Sequence, residues 1–317
     1  MTTALHRLGA GIVVTLLALG TAEIAARTVW SEDALLDAWE RSDGWVTWEK
    51  DGPAPQPNRT DTLQDGPYTW RVRVDARGLR EGDFAEGDGG AGPAARTFLA
   101  LGDSWVFGNS VDQGHTLADV VEARLPGLEV LNAGLVGASA FDMLRRWQAL
   151  TLDRRPDGVL LGRPHNARRT DAVRDRRRAW YDRARPGPLL RARAYLLVRH
   201  WRTPWRGPRY AAPSHTDDAL LADLSDLTAI VTDARTAGAP VWFVAFPDGL
   251  GVPADPRWSA ALTALGVPVV APVLPDRACW GFDDLGHPSA RGARVIGELV
   301  AAAIAGIPAI EARCDEE

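Results

Sequence analysis

Ser104 stands in a local sequence that could make it a nucleophile. It follows Gly102 and Asp103 directly after the apolar residues 97–101, in the segment FLALGDSWVFGNSV. A polar turn after such a strand lies at the carboxyl end of a sheet, where open α/β proteins bind ligands. Gly102 permits a tight turn, and a helix that begins after it would point backbone N–H groups at a developing oxyanion. The alternative is a turn in which Asp103 or Ser104 only caps a helix.

A serine nucleophile needs a base, and the C-terminal region supplies one. Serine attacks effectively when a histidine takes its proton and a carboxylate orients that histidine. His287 follows Asp284 by three residues in FDDLGHPSA, and the Gly and Pro beside the histidine predict a loop. We interpret Ser104, Asp284 and His287 as a catalytic triad; the spacing also allows Asp283 to orient the histidine. The alternative is that Asp284 caps a turn and His287 only precedes a helix that begins near Ser289.

The carbonyl oxygen of a substrate under attack needs hydrogen-bond donors that are already in place. We expect an oxyanion hole from the N–H of Ser104, the N–H of Gly134 and the side-chain amide of Asn166. Gly134 follows the second predicted strand in LNAGLVGAS, and Asn166 follows the third in LLGRPHNA. His165 is an alternative donor, ranked below Asn166.

An alternation of apolar strands and helical stretches must position these residues. Strand-length apolar runs occupy 97–101, 128–132, 158–162, 240–246 and 267–273, and helical stretches occupy 117–124, 140–152, 217–236 and 290–305. This alternation predicts an α/β domain with one parallel sheet of roughly five strands. Residues 241–246 are interpreted as sheet core rather than as a substrate groove, because buried parallel strands are continuously apolar.

The first third of the chain precedes that domain. Residues 8–22 carry no charge and follow Arg7, which predicts an export segment within residues 1–30. We favour an uncleaved membrane anchor over a cleaved signal peptide, because apolar residues continue through 24–26. Residues 31–95 mix Trp, Pro, Gly and acidic residues and are interpreted as a loosely structured stalk. Within it, 69–80 alternates like a strand that could add an edge to the sheet.

A strongly basic insertion interrupts the predicted domain, which otherwise spans 96–310. Residues 166–210 contain fourteen arginines and three aspartates, a local charge of +11 by that count. A solvated helical insertion is one reading. A cap that meets anionic lipid headgroups or an acidic glycan, with Trp180, Trp201 and Trp205 at the interface, is the other.

Composition excludes several other functions. A net charge of −5 argues against attraction of the whole molecule to nucleic acid, and no Gly-rich phosphate loop is present. The two cysteines, Cys279 and Cys314, lack the spacing of metal ligands, so we expect neither a metal nor an organic cofactor. They form one disulfide or remain free thiols. His115, His200 and His215 have no carboxylate at a comparable spacing and are interpreted as structural or surface residues.

The order of these motifs resembles the SGNH (GDSL-type) hydrolases over roughly residues 97–305. Gly102-Asp103-Ser104 matches the nucleophile motif, Asn132-Ala133-Gly134 the glycine block, Asn166 the asparagine block and Asp284-Leu285-Gly286-His287 the last block. The resemblance implies a flavodoxin-like three-layer α/β/α sandwich, a Ser-His-Asp triad and a three-donor oxyanion hole. It also implies acyl esters of lipids or sugars as substrates. The stretch VDARGLREGDF and the N-terminal segment resemble the extracytoplasmic branch that includes alginate acetylation proteins and carbohydrate esterases.

One departure concerns the third block, which usually reads G-x-N-D. Here Gly162 is followed by Arg-Pro-His before Asn166, so the asparagine comes two residues late and alanine follows it. A misplaced donor would slow turnover about 100-fold to 1,000-fold rather than abolish it.

Three functions follow from these residues. The first is hydrolysis of an acyl ester, such as an O-acetyl group on a cell-envelope glycan, outside the cytoplasm and at the membrane. The second is transfer of the acyl group to a polysaccharide hydroxyl, because both reactions share an acyl-enzyme. The third is a non-catalytic protein that keeps the fold and binds glycan or membrane.

Overall fold

The structure is a computed structural model, and the chain divides into two compact units. The described residues are 46–49, 52–55, 57–65, 68–81, 96–152, 155–166, 217–247, 253–274, 279–280 and 286–308, with Thr15, Ala18 and Thr21. One unit comprises Met1–Gly44 and Thr170–Gly207, and the other comprises Trp45–Arg169 and Pro208–Glu317. The fold and site below belong to the second unit. The export segment, apart from those three residues, and the basic insertion beyond Asn166 lie outside the described residues.

A five-stranded parallel sheet forms the centre of this second unit. Its strands are β5 (Arg96–Leu101), β6 (Leu128–Asn132), β7 (Gly158–Gly162), β8 (Val241–Val244) and β9 (Val269–Val270). They lie in the order β6-β5-β7-β8-β9, and every adjacent pair is parallel. This flavodoxin-like order reverses its direction between β5 and β7, the place where such sheets bind ligands beyond their carboxyl ends.

Helices cover both faces of the sheet. The described helices are α1 (Ser104–Phe107), α2 (Leu117–Arg124), α3 (Ala140–Leu150), α4 (Asp217–Thr236), α5 (Pro256–Ala264) and α6 (Ala290–Ala305). Alternate residues of β5 point to opposite sides, as in any strand. Leu99 and Leu101 join a core with α3, α4 and α5. Phe98 and Ala100 join a second core with α2 and α6. The predicted α/β fold with a parallel five-stranded sheet is confirmed.

Two antiparallel hairpins precede the sheet. They comprise β1 (Val46–Glu49) with β2 (Gly52–Pro55), and β3 (Arg59–Asp65) with β4 (Tyr68–Val74). Trp70, Val72 and Val74 of β4 are buried against Phe107 of α1. The backbone N–H of Arg80 then donates to the carbonyl of Asn132 at 3.0 Å, so the hairpin meets edge strand β6 through one bridge rather than a full strand. These described parts of the predicted stalk are therefore folded.

Two further predictions concern the membrane and the cysteines. Among the described residues, no helix is both long and apolar enough to span a bilayer. Cys279 is disulfide-bonded, and Cys314 lies outside the described residues.

Candidate active site

The nucleophile turn is built by the residues around Ser104. Asp103 is the N-cap of α1, and its Oδ1 accepts the backbone N–H of Trp105 at 3.0 Å. Gly108 ends the helix in the left-handed region (φ 83°), and its N–H donates to the carbonyl of Ser104. A Cβ on Gly102 would lie 2.2 Å from a methyl of Val106, so glycine is what lets α1 fold back against the end of β5. The turn thus presents Ser104 at the first position of a helix.

His287 meets Ser104 at this edge of the sheet. The Nε2 atom of His287 lies 2.7 Å from Oγ of Ser104, although the residues are 183 positions apart. Both side chains are almost completely enclosed, since each residue is 7% exposed. At that distance the hydroxyl of Ser104 can donate a hydrogen bond to Nε2 of His287, which is the contact that a general base needs.

The loop that carries His287 is held on its far side by Cys279. The Cys279 carbonyl accepts the N–H of Ser289 at 2.9 Å, and Trp280 bridges Pro288. Ser289 then caps α6 by accepting the N–H of Gly292. A Cβ on Gly292 would lie 2.0 Å from the Cys279 carbonyl oxygen, which only glycine avoids. The residues that follow His287 are therefore held by the bridge between Trp280 and Pro288 and by the capped start of α6.

The third member of the predicted triad is not among the described residues. Both Asp284 and Asp283 fall in the range 281–285, which the structure does not describe. Which of the two carboxylates orients His287 remains a prediction.

Gly134 packs directly on the helix that carries the nucleophile. A Cβ there would lie 2.2 Å from the backbone N of Phe107, so only glycine allows this approach. Its N–H donates to Oδ1 of Asn132 at 3.1 Å, and Nδ2 of Asn132 donates to the carbonyl of Val106 at 2.9 Å. Asn132 therefore ties the glycine loop to α1. The Gly134 N–H can bind an oxyanion only if its hydrogen bond to Asn132 is broken or is shared with the oxyanion.

The side chains of His165 and Asn166 both contact the carboxylate of Asp103. Oδ2 of Asp103 accepts the backbone N–H of His165 at 2.8 Å and faces its Nδ1 at 2.9 Å. The amide Nδ2 of Asn166 lies 3.5 Å from the same oxygen, at the outer limit of a hydrogen bond. Asn166, the late asparagine of the third block, is therefore held against Asp103, the residue that precedes Ser104 in the sequence.

Asp103 is ionised at this junction. Burial would raise the pKa of its carboxyl, but the charge of His165 and hydrogen bonds from His165 and Trp105 outweigh burial and lower the pKa below 3.8. The carboxylate is fully enclosed, with 0% of the residue exposed. A buried carboxylate with this many donors is a rigid anchor.

Sequence reasoning did not identify Arg80 as part of this region. Only 3% of Arg80 is exposed, and its guanidinium donates to the carbonyls of Phe107, Gly108 and Val111 at 2.8, 2.5 and 2.6 Å. A cation at these carbonyls stabilises the end of the nucleophile helix. The left-handed Gly78 in the turn before it is the one sequence signal, since it predicts that the chain reverses there.

Three further histidines were interpreted as structural or surface residues. Of these, His115 is exposed, and His200 and His215 lie outside the described residues. Within the described ranges, no group of three or more His, Cys, Asp or Glu side chains could hold a metal ion.

Comparison with known proteins gives structural likenesses only. No family model and no curated protein matches the sequence. The chain is similar to a lipolytic protein of the G-D-S-L family from Desulfitobacterium hafniense, at 16% identity over 65% of this chain and 98% of that one, with a TM-score of 0.42. It is similar to the psychrotrophic esterase EstA from a Pseudoalteromonas species, at 16% identity over 67% and 97%, with a TM-score of 0.41.

A third similar structure is a two-domain esterase active on acetylated mannans, at 14% identity and a TM-score of 0.43. The match covers 70% of this chain and 52% of that one. Another is an SGNH-hydrolase family esterase, at 17% identity over 67% of this chain and 95% of that one, with a TM-score of 0.34.

Proposed function

We propose that this chain is a serine hydrolase of the SGNH type that cleaves acyl esters through an acyl-enzyme on Ser104. The observation that carries the proposal is the 2.7 Å contact between Oγ of Ser104 and Nε2 of His287. Nucleophile and base are within proton-transfer distance, and both are shielded from bulk water.

The reaction follows from that contact. Oγ of Ser104 attacks the ester carbonyl carbon while Nε2 of His287 takes the hydroxyl proton, and a tetrahedral intermediate forms. The intermediate collapses, the C–O bond to the alcohol breaks, and His287 returns the proton to the leaving alkoxide. Water then attacks the acyl-serine with His287 again as base, which releases the acid and restores Ser104.

The oxyanion is assigned to three donors. Ser104 is the first residue of α1, where backbone N–H groups have no intrahelical acceptor. Gly134 and Asn166 supply the second and third donors, each now held by a neighbouring side chain, Asn132 and Asp103 respectively. The weak 3.5 Å contact of Asn166 supports its transfer to an oxyanion, because little is lost when its amide leaves Asp103. Asp284 is assigned to the Nδ1 side of His287.

The substrate is proposed to carry a short acyl group, such as O-acetyl on a cell-envelope glycan. An extracytoplasmic location agrees with the uncharged residues 8–22 and with the disulfide of Cys279, because disulfides persist in oxidising compartments. Residues 1–30 are proposed to hold the protein at the membrane.

The test measures hydrolysis of p-nitrophenyl acetate, butyrate and octanoate by the full-length chain. We expect the acetate to turn over fastest, and Ser104→Ala and His287→Ala each to reduce kcat by roughly 1,000-fold or more. His115→Ala is the matched control, since this exposed histidine should leave turnover unchanged. Turnover that survives Ser104→Ala would contradict the proposal.

Two further readouts refine it. Asp284→Asn should lower kcat sharply while Asp283→Asn should not, and the reverse result would reassign the orienting carboxylate. Labelling of Ser104 by a fluorophosphonate without ester hydrolysis would favour acyl transfer to a glycan hydroxyl. Loss of the protein from the membrane fraction after deletion of residues 8–22 tests the anchor.

A further inference from the structure

The imidazole of His165 lies between two hydrogen-bond acceptors. Its Nδ1 is 2.9 Å from Oδ2 of Asp103, and its Nε2 is 3.0 Å from the carbonyl oxygen of Pro247. The ring stacks on the indole of Trp105, with centroids 4.6 Å apart and planes 16° apart. Its side chain is 13% exposed. The ring is thus fixed on both edges and on one face.

The two contacts engage both nitrogens of the ring. A backbone carbonyl can accept a hydrogen bond but cannot donate one, so Nε2 carries a proton and donates it to the carbonyl of Pro247. Nδ1 faces the carboxylate of Asp103. The ring can therefore act as a base or as an oxyanion donor only by breaking one of these contacts.

The contacts of His165 join three strand ends. Asp103 follows β5, His165 follows β7 and Pro247 follows β8. The guanidinium of Arg163 also reaches the Pro247 carbonyl, at 3.4 Å. Asn166, next in sequence to His165, shares Oδ2 of Asp103 with it. The position of Asn166 relative to Ser104 is therefore set by this bridge.

We propose that His165 is a positioning residue whose imidazole ring bridges Asp103 and the Pro247 carbonyl and thereby holds Asn166 beside the nucleophile motif. The proposal rests on the proposed function of Ser104 and deepens it. The proposal also explains the altered third block. Asn166 comes two residues later than the asparagine of G-x-N-D, and the contacts of His165 beside it hold it in place.

The first test compares His165→Phe, His165→Gln and Asn166→Ala in the full-length chain. Phe preserves stacking on Trp105 but removes both hydrogen bonds, and Gln keeps one amide donor. Because an oxyanion donor acts mainly in the transition state, His165→Phe should lower kcat about 10-fold to 100-fold with KM within about threefold of wild type. The Gln variant should recover part of that loss. His115→Phe, at an exposed position, is the control and should change neither constant.

The second test asks whether His165 acts through Asn166. If it does, His165→Phe combined with Asn166→Ala should be no slower than Asn166→Ala alone, because the effects of coupled residues are not additive. Losses that multiply would refute the positioning role, and so would a His165→Phe variant with unchanged kcat. Near-UV circular dichroism checks that each variant is folded. If the Phe variant is not, the same comparison is made with Gln.

A third measurement reads the ring directly. Nitrogen-15 NMR of the wild-type chain, with His165 assigned by its loss in the Gln variant, should show a proton on Nε2. A ring without that proton could not donate to the Pro247 carbonyl and would refute the proposal even if catalysis falls. Absence of Ser104-dependent turnover in the wild type would refute the proposed function and the positioning role together. Normal wild-type turnover with an unaffected His165→Phe variant would refute only the positioning role.

Discussion

Arg80 offers the most quantitative test of how the nucleophile helix is held. The perturbation is Arg80→Met, which keeps the length of the side chain and removes the guanidinium. The buried carbonyls of Phe107, Gly108 and Val111 then lose the guanidinium, while the Gly108 carbonyl keeps the backbone N–H of Val111 at 3.1 Å. Hydrogen bonds to a charged group contribute about 1.5–3 kcal/mol each. Part of that total is returned, because the buried cation no longer has to be desolvated.

The net loss should be about 3–5 kcal/mol, because each buried carbonyl left without a donor costs about 1–3 kcal/mol and part of the total is returned. Urea unfolding, followed by tryptophan fluorescence, should therefore show a midpoint lower by about 1–2 M. Arg80→Lys should recover only a fraction, because an ammonium group cannot reproduce a planar set of donors aimed at separate carbonyls.

The matched control is Arg77→Met in the same turn. The Arg77 side chain is 56% exposed and pairs with Asp75, so its loss should cost no more than about 0.5–1 kcal/mol. If Arg80→Met and Arg77→Met destabilise the chain equally, the inference that buried Arg80 holds α1 is wrong. A stable Arg80→Met variant that keeps its full rate of fluorophosphonate labelling at Ser104 would show that α1 does not depend on this cation.

Three further predictions follow from the site. Because the pKa of Asp103 is below 3.8 in the folded chain, its charge stabilises the fold above about pH 4, and that contribution is lost as the pH falls through the lowered pKa; the gap in urea midpoint between wild type and Asp103→Asn should therefore shrink below pH 4. Gly134→Ala should destabilise the chain and slow turnover at least tenfold, since its Cβ would overlap backbone atoms, whereas Gly127→Ala, with open space but a positive φ, should cost about 1 kcal/mol and leave turnover unchanged. Cys279→Ser should lower stability by about 2–4 kcal/mol through loss of the disulfide of Cys279, measured as a lower melting temperature; an unchanged melting temperature would contradict this.

The strands and helices of the domain were predictable because their apolar patterns are imposed by burial. The run 158–162 is continuously apolar because β7 lies in the middle of a sheet covered on both faces, and all five of its residues are buried. The helices α2 and α3 begin at capping boxes that the sequence displays, Thr116 with Asp119 and Ser139 with Asp142. Predicted and observed bounds of α2, β6 and β7 coincide.

Other elements were predicted poorly, for identifiable reasons. The apolar run 267–273 suggested a full strand, but only Val269–Val270 pair with β8, because β9 lies at the edge and has one neighbour. The helix Pro256–Ala264 was not predicted, although Asp255 caps it and proline occupies its first turn. Of the hairpins before residue 81, only the strand at 69–80 was predicted, and it corresponds to β4 (Tyr68–Val74); a composition rich in Pro, Gly and charge hid the other three strands.

Long-range contacts explain why parts of the site escaped prediction. The spacing of Asp284 and His287 and the motif around Ser104 suggested which residues should meet, since each has a local signature. The glycine turn before Arg80 predicts only a chain reversal, and His165 was considered only as an alternative oxyanion donor, so the contacts of neither residue could be predicted. An arginine bound to carbonyls 27 to 31 residues away, or an imidazole whose partner is 82 residues away, is specified only by the folded chain.

Asp103 shows how the nucleophile motif can set more than the nucleophile. One carboxylate oxygen starts α1 by accepting the N–H of Trp105, and the other fixes the loop after β7 through His165. The two functions need an ionised group with four acceptor directions, which an amide does not have. Asp103→Asn would put an NH₂ group at one of these two sites, where it would oppose either the N–H of Trp105 or the backbone N–H of His165. The cost should therefore appear both as a frayed α1 and as a displaced Asn166, and Ser104 loses its geometry in either case.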